Sequence, residues 1–236
     1  AKKLSRRNFD LAFDFKGDLR NNWFLWVIKP KLSFGYDTTG GKYLLSNAYK
    51  MNDKTHQTRR AFELVSKVGC HFEVGRKQNK SNYNGSIVFH AGASDKKRLW
   101  PIKHWEELAD LTLPHYSLTV VNTFESIELV DLLKKRNPGI DIFHGSLVEF
   151  MNWLTHQRCL IAPDSMAGHL AALVGIPVIS IFGSQSPELT RPIGEDVRVI
   201  APEKACMHRR SHWRLCYYLS LIHISSPRDN SGSRIP

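Results

Sequence analysis

The sequence predicts an α/β protein whose carboxyl-terminal part is a doubly wound parallel sheet. Three observations lead there. From Ile87 onward, short apolar runs alternate with amphipathic segments of about ten residues, the pattern of strands and crossover helices. Residues 176–182 form a nearly continuous apolar run, as suits a parallel strand covered on both faces. Polar and glycine-rich clusters follow the ends of these runs, where ligands bind in open α/β sheets.

The amino-terminal part is expected to be a smaller α/β region. Residues 9–15 alternate apolar and polar and read as a strand, with Lys16 to Arg20 as its turn and 21–28 as a helix. A second strand is expected over Leu32–Tyr36, closed by Asp37-Thr38-Thr39-Gly40-Gly41. In 56–68, Ala61, Leu64, Val65 and Val68 share one helical face, and Gly69 ends the helix. Trp23 and Trp26, at i, i+3 spacing, are expected in the core. The polar, turn-rich segment 75–86 has the composition of a linker.

Beyond it the elements run in regular order. A strand at 87–90 leads into the loop 91–101, and Pro101 suits the start of the helix 102–111. Strand 116–121 precedes helix 126–136, which Asn137-Pro138-Gly139 stops. Strand 140–143 precedes helix 147–157, opened by the capping box Ser146 to Glu149. Strand 160–162 stops at Pro163. Asp164 and Ser165 are both good N-caps for the apolar helix 167–174, which Gly175 closes. The segment 217–236 breaks the pattern. It reads as a non-native or disordered tail and takes no part in the predicted fold.

Numbered from Ile87, the strands are expected in the order 3-2-1-4-5, which sets the first beside the fourth. The loop after His90 and the turn at Asp164 then meet at the switch point. Small residues in the loop let backbone N–H groups approach an anion, and Lys96, Lys97 and Arg98 can neutralise it. Neither a Walker loop nor GxGxxG is present. Taken singly, the loop also fits a solvated basic turn, and Asp164 or Ser165 a plain helix cap. Two clusters meeting in one crevice point to a ligand instead.

The formal charge of +11 suggests an anionic partner: phosphate-bearing ligand, nucleic acid or acidic membrane surface. No helix-turn-helix, RNP-like motif or zinc spacing supports nucleic acid. The four cysteines show no CxxC spacing, which fits a reduced cytoplasmic protein with no metal site. No apolar run approaches the roughly 20 residues that span a bilayer.

Several motifs together resemble glycosyltransferase family 9, the lipopolysaccharide heptosyltransferases. They are Phe89-His90-Ala91-Gly92-Ala93-Ser94, Arg98-Leu99-Trp100-Pro101, Asp164-Ser165 with His169-Leu170-Ala171-Ala172, and Pro177 with Phe182-Gly183. Asp14, Gly17 and Arg20, and His56 before its helix, agree with the family's earlier stretches. The resemblance runs over residues 9–200. It implies a GT-B fold, with a partial amino-terminal acceptor-side domain at 1–80 and a Rossmann-like nucleotide-sugar domain at 81–216. It implies an ADP-sugar donor, ADP-heptose above all, no further cofactor, and a lipid A–core oligosaccharide acceptor. Transfer would be inverting and metal-independent, in the cytoplasm. The positive charge suits work at the inner face of an anionic membrane, for which Lys2, Lys3, Arg6, Arg7 and the Trp23/Trp26 pair are candidates, although the spacing of the tryptophans favours the core. By the same carry-over Ser94 and Arg98 hold the diphosphate, Asp164, Ser165 and His169 line the nucleotide, and Glu125 meets the nucleoside. The general base is expected ahead of residue 1 and is neither Asp14 nor Asp18, so little turnover is expected of this chain. Met166 stands where the family often has Gly, and Arg98 where it often has Lys. The alternative is a nucleotide-binding α/β domain without catalysis.

Overall fold

The computed structural model describes residues 2–71, 84–183 and 185–202. The linker reading over 75–83, the tail, Cys206 and Cys216 lie outside them. The chain divides into two compact units, Ala1–Val74 and Gly75–Pro236.

The first unit carries a three-stranded parallel sheet in the order β1-β2-β3, formed by β1 (Leu11–Asp14), β2 (Leu32–Tyr36) and β3 (Asn47–Tyr49). The short helix α1 (Lys2–Ser5) packs against α2 (Leu19–Ile28), and α3 (Gln57–Ser66) follows β3. His56 caps α3 by accepting the Thr58 N–H on Nδ1 at 3.2 Å. Phe34, Tyr36 and Leu64 form the unit's buried centre.

The expected burial of Trp23 and Trp26 is overturned: they are 54% and 52% exposed. The buried residues of α2 are Asn22, Leu25 and Ile28. Asn22 is drawn inward because its side-chain amide donates to Gly40 O at 3.3 Å. That contact fixes the helix rotation and turns the tryptophans, one residue further round, to the outside. Strand β3 was not foreseen, since Asn-Ala-Tyr has neither an apolar run nor alternation.

The second unit is a six-stranded, all-parallel sheet in the order β6-β5-β4-β7-β8-β9. Its strands are β4 (Ile87–Phe89), β5 (Leu118–Val121), β6 (Asp141–Phe143), β7 (Cys159–Pro163), β8 (Val178–Ile181) and β9 (Val197–Ile200). The helices are α4 (Ile102–Thr112), α5 (Ile127–Arg136), α6 (Leu147–Leu154), α7 (Met166–Val174) and the short α8 (Pro187–Thr190). The expected order of the first five strands is what the sheet shows. The edge strand β9 is the addition; its Val-Arg-Val-Ile run is short and only half covered.

Alternation along each strand feeds two cores. Phe89, Val120 and Ile161 face one side with Trp105 and Ala109 of α4 and Leu129 and Leu133 of α5. Val88, Val121 and Leu160 face the other with Phe150 and Leu154 of α6 and Ala167 and Ala171 of α7. Helix α6 begins at the predicted capping box: Ser146 Oγ accepts from Glu149 N and the Glu149 carboxylate accepts from Ser146 N. That exchange holds the Glu149 carboxyl below the usual carboxylate range.

Candidate functional site

Strands β4 and β7 pair directly, with Phe89 opposite Ile161, so the turns that follow them open at the same carboxyl edge. His90 N donates to Ile161 O at 3.0 Å, which extends the pairing into the first turn. Beyond it Ala91, Gly92 and Ala93 are small and buried. Asp95 caps a 3-10 turn over Lys96–Arg98 by accepting the Lys97 N–H at 2.9 Å, and this turn aims Arg98 back toward the sheet.

The Arg98 guanidinium joins the two turns. Nη1 donates to Asp164 O at 3.0 Å, Nη2 donates to Ser94 Oγ, and the Asp164 carboxylate lies 3.6 Å from Nη1. Both side chains are well covered, at 16% and 7% exposure. Burial pushes the Asp164 carboxyl above its ordinary value, and Arg98 only partly offsets this. The pair is therefore a largely desolvated cation and carboxylate, an arrangement that is costly to bury unless both charges are well paired.

The Asp164 carboxylate faces Arg98 while its buried Oδ2 makes no hydrogen bond, and the N-cap of α7 is Ser165. Ser165 makes no side-chain cap bond, and its buried hydroxyl has no hydrogen-bond partner. The first-turn amides of α7 are left to other acceptors, which favours an anion there. His169 sits one turn into α7 on the exposed side. Glu125 lies on the turn after β5, whose shape is set by buried Ser126: its hydroxyl donates to Val121 O at 2.8 Å and accepts from Thr123 N at 2.7 Å. Glu125 comes close to the β4 loop, since a Cβ built on Gly92 would meet its Oε2 at 3.2 Å and Thr123 Oγ1 at 2.6 Å. Only glycine lets these two turns approach so closely.

Of the residues singled out from sequence, Ser94, Arg98 and Asp164 are in direct contact, and Glu125 borders the same loop. Ser165 stands at the helix start beside Asp164, with His169 further along the helix. His90 was quoted only as part of a motif, yet it ends β4 at the switch point and burial pushes its imidazole pKa down, with Glu125 opposing. The signal was its place directly before the small-residue loop. Among the described residues no three His, Cys, Asp or Glu side chains converge as metal ligands. Cys70 and Cys159 are free, and burial pushes the Cys159 thiol up to about 11, which leaves it protonated and inert.

A doubly wound sheet with a cation, a hydroxyl and an open helix start at its switch point, in a chain that also carries a second parallel α/β unit, is the make-up of a GT-B type protein. Within that class the chain belongs to glycosyltransferase family 9 (heptosyltransferase), whose model matches residues 1–215. It is 24% identical over 212 residues to lipopolysaccharide heptosyltransferase 1 of Pseudomonas aeruginosa, covering 81% of this chain and 59% of that protein. The chain therefore spans about three fifths of that relative's length. Its fold is similar to that of E. coli heptosyltransferase WaaC with ADP, at a TM-score of 0.69 and 15% identity, covering 85% of this chain and 68% of the other. It is also similar to that of E. coli ADP-heptose lps heptosyltransferase II, at a TM-score of 0.70 and 16% identity, covering 96% and 76%.

Proposed function

We propose that the chain serves lipopolysaccharide core assembly as a heptosyltransferase, with residues 81–216 binding an ADP-sugar donor, ADP-heptose above all, and residues 1–80 lying on the acceptor side. The observation that carries this is the Arg98 guanidinium held between Ser94 and Asp164 at the sheet's switch point. The likeness to a heptosyltransferase structure with ADP supports the choice of nucleotide.

In this reading the acceptor hydroxyl oxygen attacks the anomeric carbon on the face opposite the diphosphate. The new C–O bond forms as the bond to phosphate breaks, and the electron pair leaves with ADP. The configuration inverts. The acceptor's proton passes to a base that is neither Asp14 nor Asp18. Asp14 already accepts from Gly17 N at 2.8 Å and from Asn21 Nδ2 at 3.1 Å. Asp18 is bound to Arg20. Arg98 and the α7 amides meet the charge that builds on the departing diphosphate, so in this reading ADP binding persists in the presence of a chelator. Ser165 and His169 line the nucleotide beside them.

Calorimetric titration with ADP, UDP and dTDP tests the reading. ADP is expected to bind most tightly, and Arg98→Ala to weaken it by roughly tenfold or more, as loss of a charge-assisted phosphate contact does. Equal affinity in wild type and Arg98→Ala would overturn it. The lipid A–core acceptor places the work at an anionic inner membrane. On this view Trp23, Phe24 and Trp26 of α2, next to the basic run Arg6 and Arg7 after α1, form the peripheral contact.

A further inference from the structure

We propose that the groove beside the edge strand β6, on the face covered by α6, binds a neutral pyranose unit of an oligosaccharide. The groove lies within the second unit, with its polar floor at the opposite edge of the sheet from Arg98, and it goes beyond the donor reading above.

Val88, Val121 and Phe143 turn one face of the sheet toward α6 and α7. Two residues earlier along the same three stretches, and so on the same face, stand Ser86, Thr119 and Asp141. The register sets them side by side: Ser86 directly precedes the Ile87–Leu118 pair, and Thr119 is opposite Asp141. The face thus turns from apolar to polar within one repeat, at the amino end of the sheet. Ser86 Oγ lies 2.7 Å from Thr119 Oγ1 and donates to Gln157 Oε1 at 2.8 Å. Gln157, just after α6, also accepts from Ser86 N at 3.2 Å and donates from Nε2 to Trp153 O at 3.2 Å. Thr119 and Gln157 are buried, so these polar groups are held in a fixed array.

A cavity of about 500 Å³ runs along β6 over this array. A second, of about 630 Å³, opens between the loops before β5 and β6 and shares Ser117 and Asp141 with the first. Each is of the size that takes a small molecule. Their described lining holds no Lys or Arg and a single carboxylate, that of Asp141, in a chain of charge +11. Such a lining disfavours phosphate and other anions. It is also too polar for an apolar ligand, whose arrival would strip water from these groups and replace none of their bonds. The hydroxyls of Ser86, Ser117 and Thr119 both donate and accept, and the Asp141 carboxylate accepts on both oxygens, which suits a ligand whose polar groups are hydroxyls. Trp153 lines the same cavity; it is half-buried, with its ring centroid 4.6 Å from that of Phe143. An indole receives the polarised C–H face of a sugar ring on its negative π face. Two adjoining cavities hold more than one ring, which points to a saccharide chain as the occupant.

The test is saturation-transfer NMR on the whole chain with methyl α-D-mannopyranoside, methyl α-D-glucopyranoside, mannotriose and maltotriose. One of the glycosides should receive transfer, and its trisaccharide should bind several-fold more tightly. Excess ADP should leave the signal in place. Asp141→Ala should weaken the glycoside roughly tenfold, as loss of hydrogen bonds to a charged group does. Ser117→Trp fills the junction of the two cavities and should abolish the signal. Asp141 and Ser117 are exposed, so both variants should melt at the wild-type temperature. No transfer to any probe, or transfer equal to wild type in both variants, overturns the site. Displacement by ADP would put the sugar in the Arg98 crevice and overturns it equally. Equal affinity for one ring and for three overturns the oligosaccharide as occupant. None of these outcomes depends on ADP affinity, so failure of the donor reading is read separately, from Arg98→Ala.

Discussion

Arg98 and Asp164 show how two opposed effects are decided within one contact. The guanidinium favours the charged carboxylate, while burial disfavours it, and the raised Asp164 pKa says that burial wins. His90 carries the same conflict in a form that can be titrated. Its folded pKa lies below the ordinary 6.5 because burial outweighs the field of Glu125. The unfolded chain therefore takes up a proton that the folded chain refuses, and stability is lost as pH falls below about 6.5. Replacing His90 by Gln removes this one titration. The pH slope of unfolding free energy below 6.5, measured by denaturant titration, should flatten by up to about 1.4 kcal/mol per pH unit. An unchanged slope would mean that His90 is solvated after all. At this scale the residue types of the site were legible, because Asp-Ser before an apolar helix and a small-residue loop ending in cations are local patterns. The Ser165 hydroxyl without a partner was not legible, since it depends on the folded shape of the turn and not on which residues compose it.

Helices and strands in the second unit follow their sequence signals closely, because each signal is local: a cap, a glycine stop, an apolar face. The loop exit at Trp100 and the first turns of α4 are held by aromatic packing. Trp105 is fully buried, with its ring centroid 5.0 Å from Phe89 and 5.1 Å from Trp100. Removing it should open a cavity beneath the loop that carries Arg98. Trp105→Ala is expected to lower unfolding free energy by about 3–5 kcal/mol, read by chemical denaturation. A loss under about 1 kcal/mol would mean that α4 closes the gap without strain. The strands that sequence reading missed, β3 and β9, are edge strands. An edge strand needs only one partner and one covered face, so its sequence need not be strongly apolar. The rotation of α2 was misread for a related reason. The helix is apolar nearly all round, and no periodic stripe says which face turns inward.

Considered as a whole, the chain carries a formal charge of +11, and its first unit exposes Trp23, Phe24 and Trp26. No helix among the described residues is long and apolar enough to cross a membrane. The bilayer contact proposed above combines basic attraction with interfacial tryptophans. The double variant Trp23→Ser, Trp26→Ser should lose most of its retention on vesicles rich in anionic lipid and keep its ADP affinity within about twofold. Undiminished co-sedimentation would remove these tryptophans from the contact. The sequence by itself determined that two stretches of α/β structure exist, the second of them parallel, where most of their strands and helices begin and end, and which turns hold polar residues. Those features depend on neighbours within one or two turns of chain. Only the tertiary structure decided that Arg98 reaches Asp164 across 66 positions, that Asn122 meets His144, and that Asn22 rather than a tryptophan faces the first sheet. Such contacts follow from strand order and helix rotation, which long-range packing sets and local periodicity leaves open.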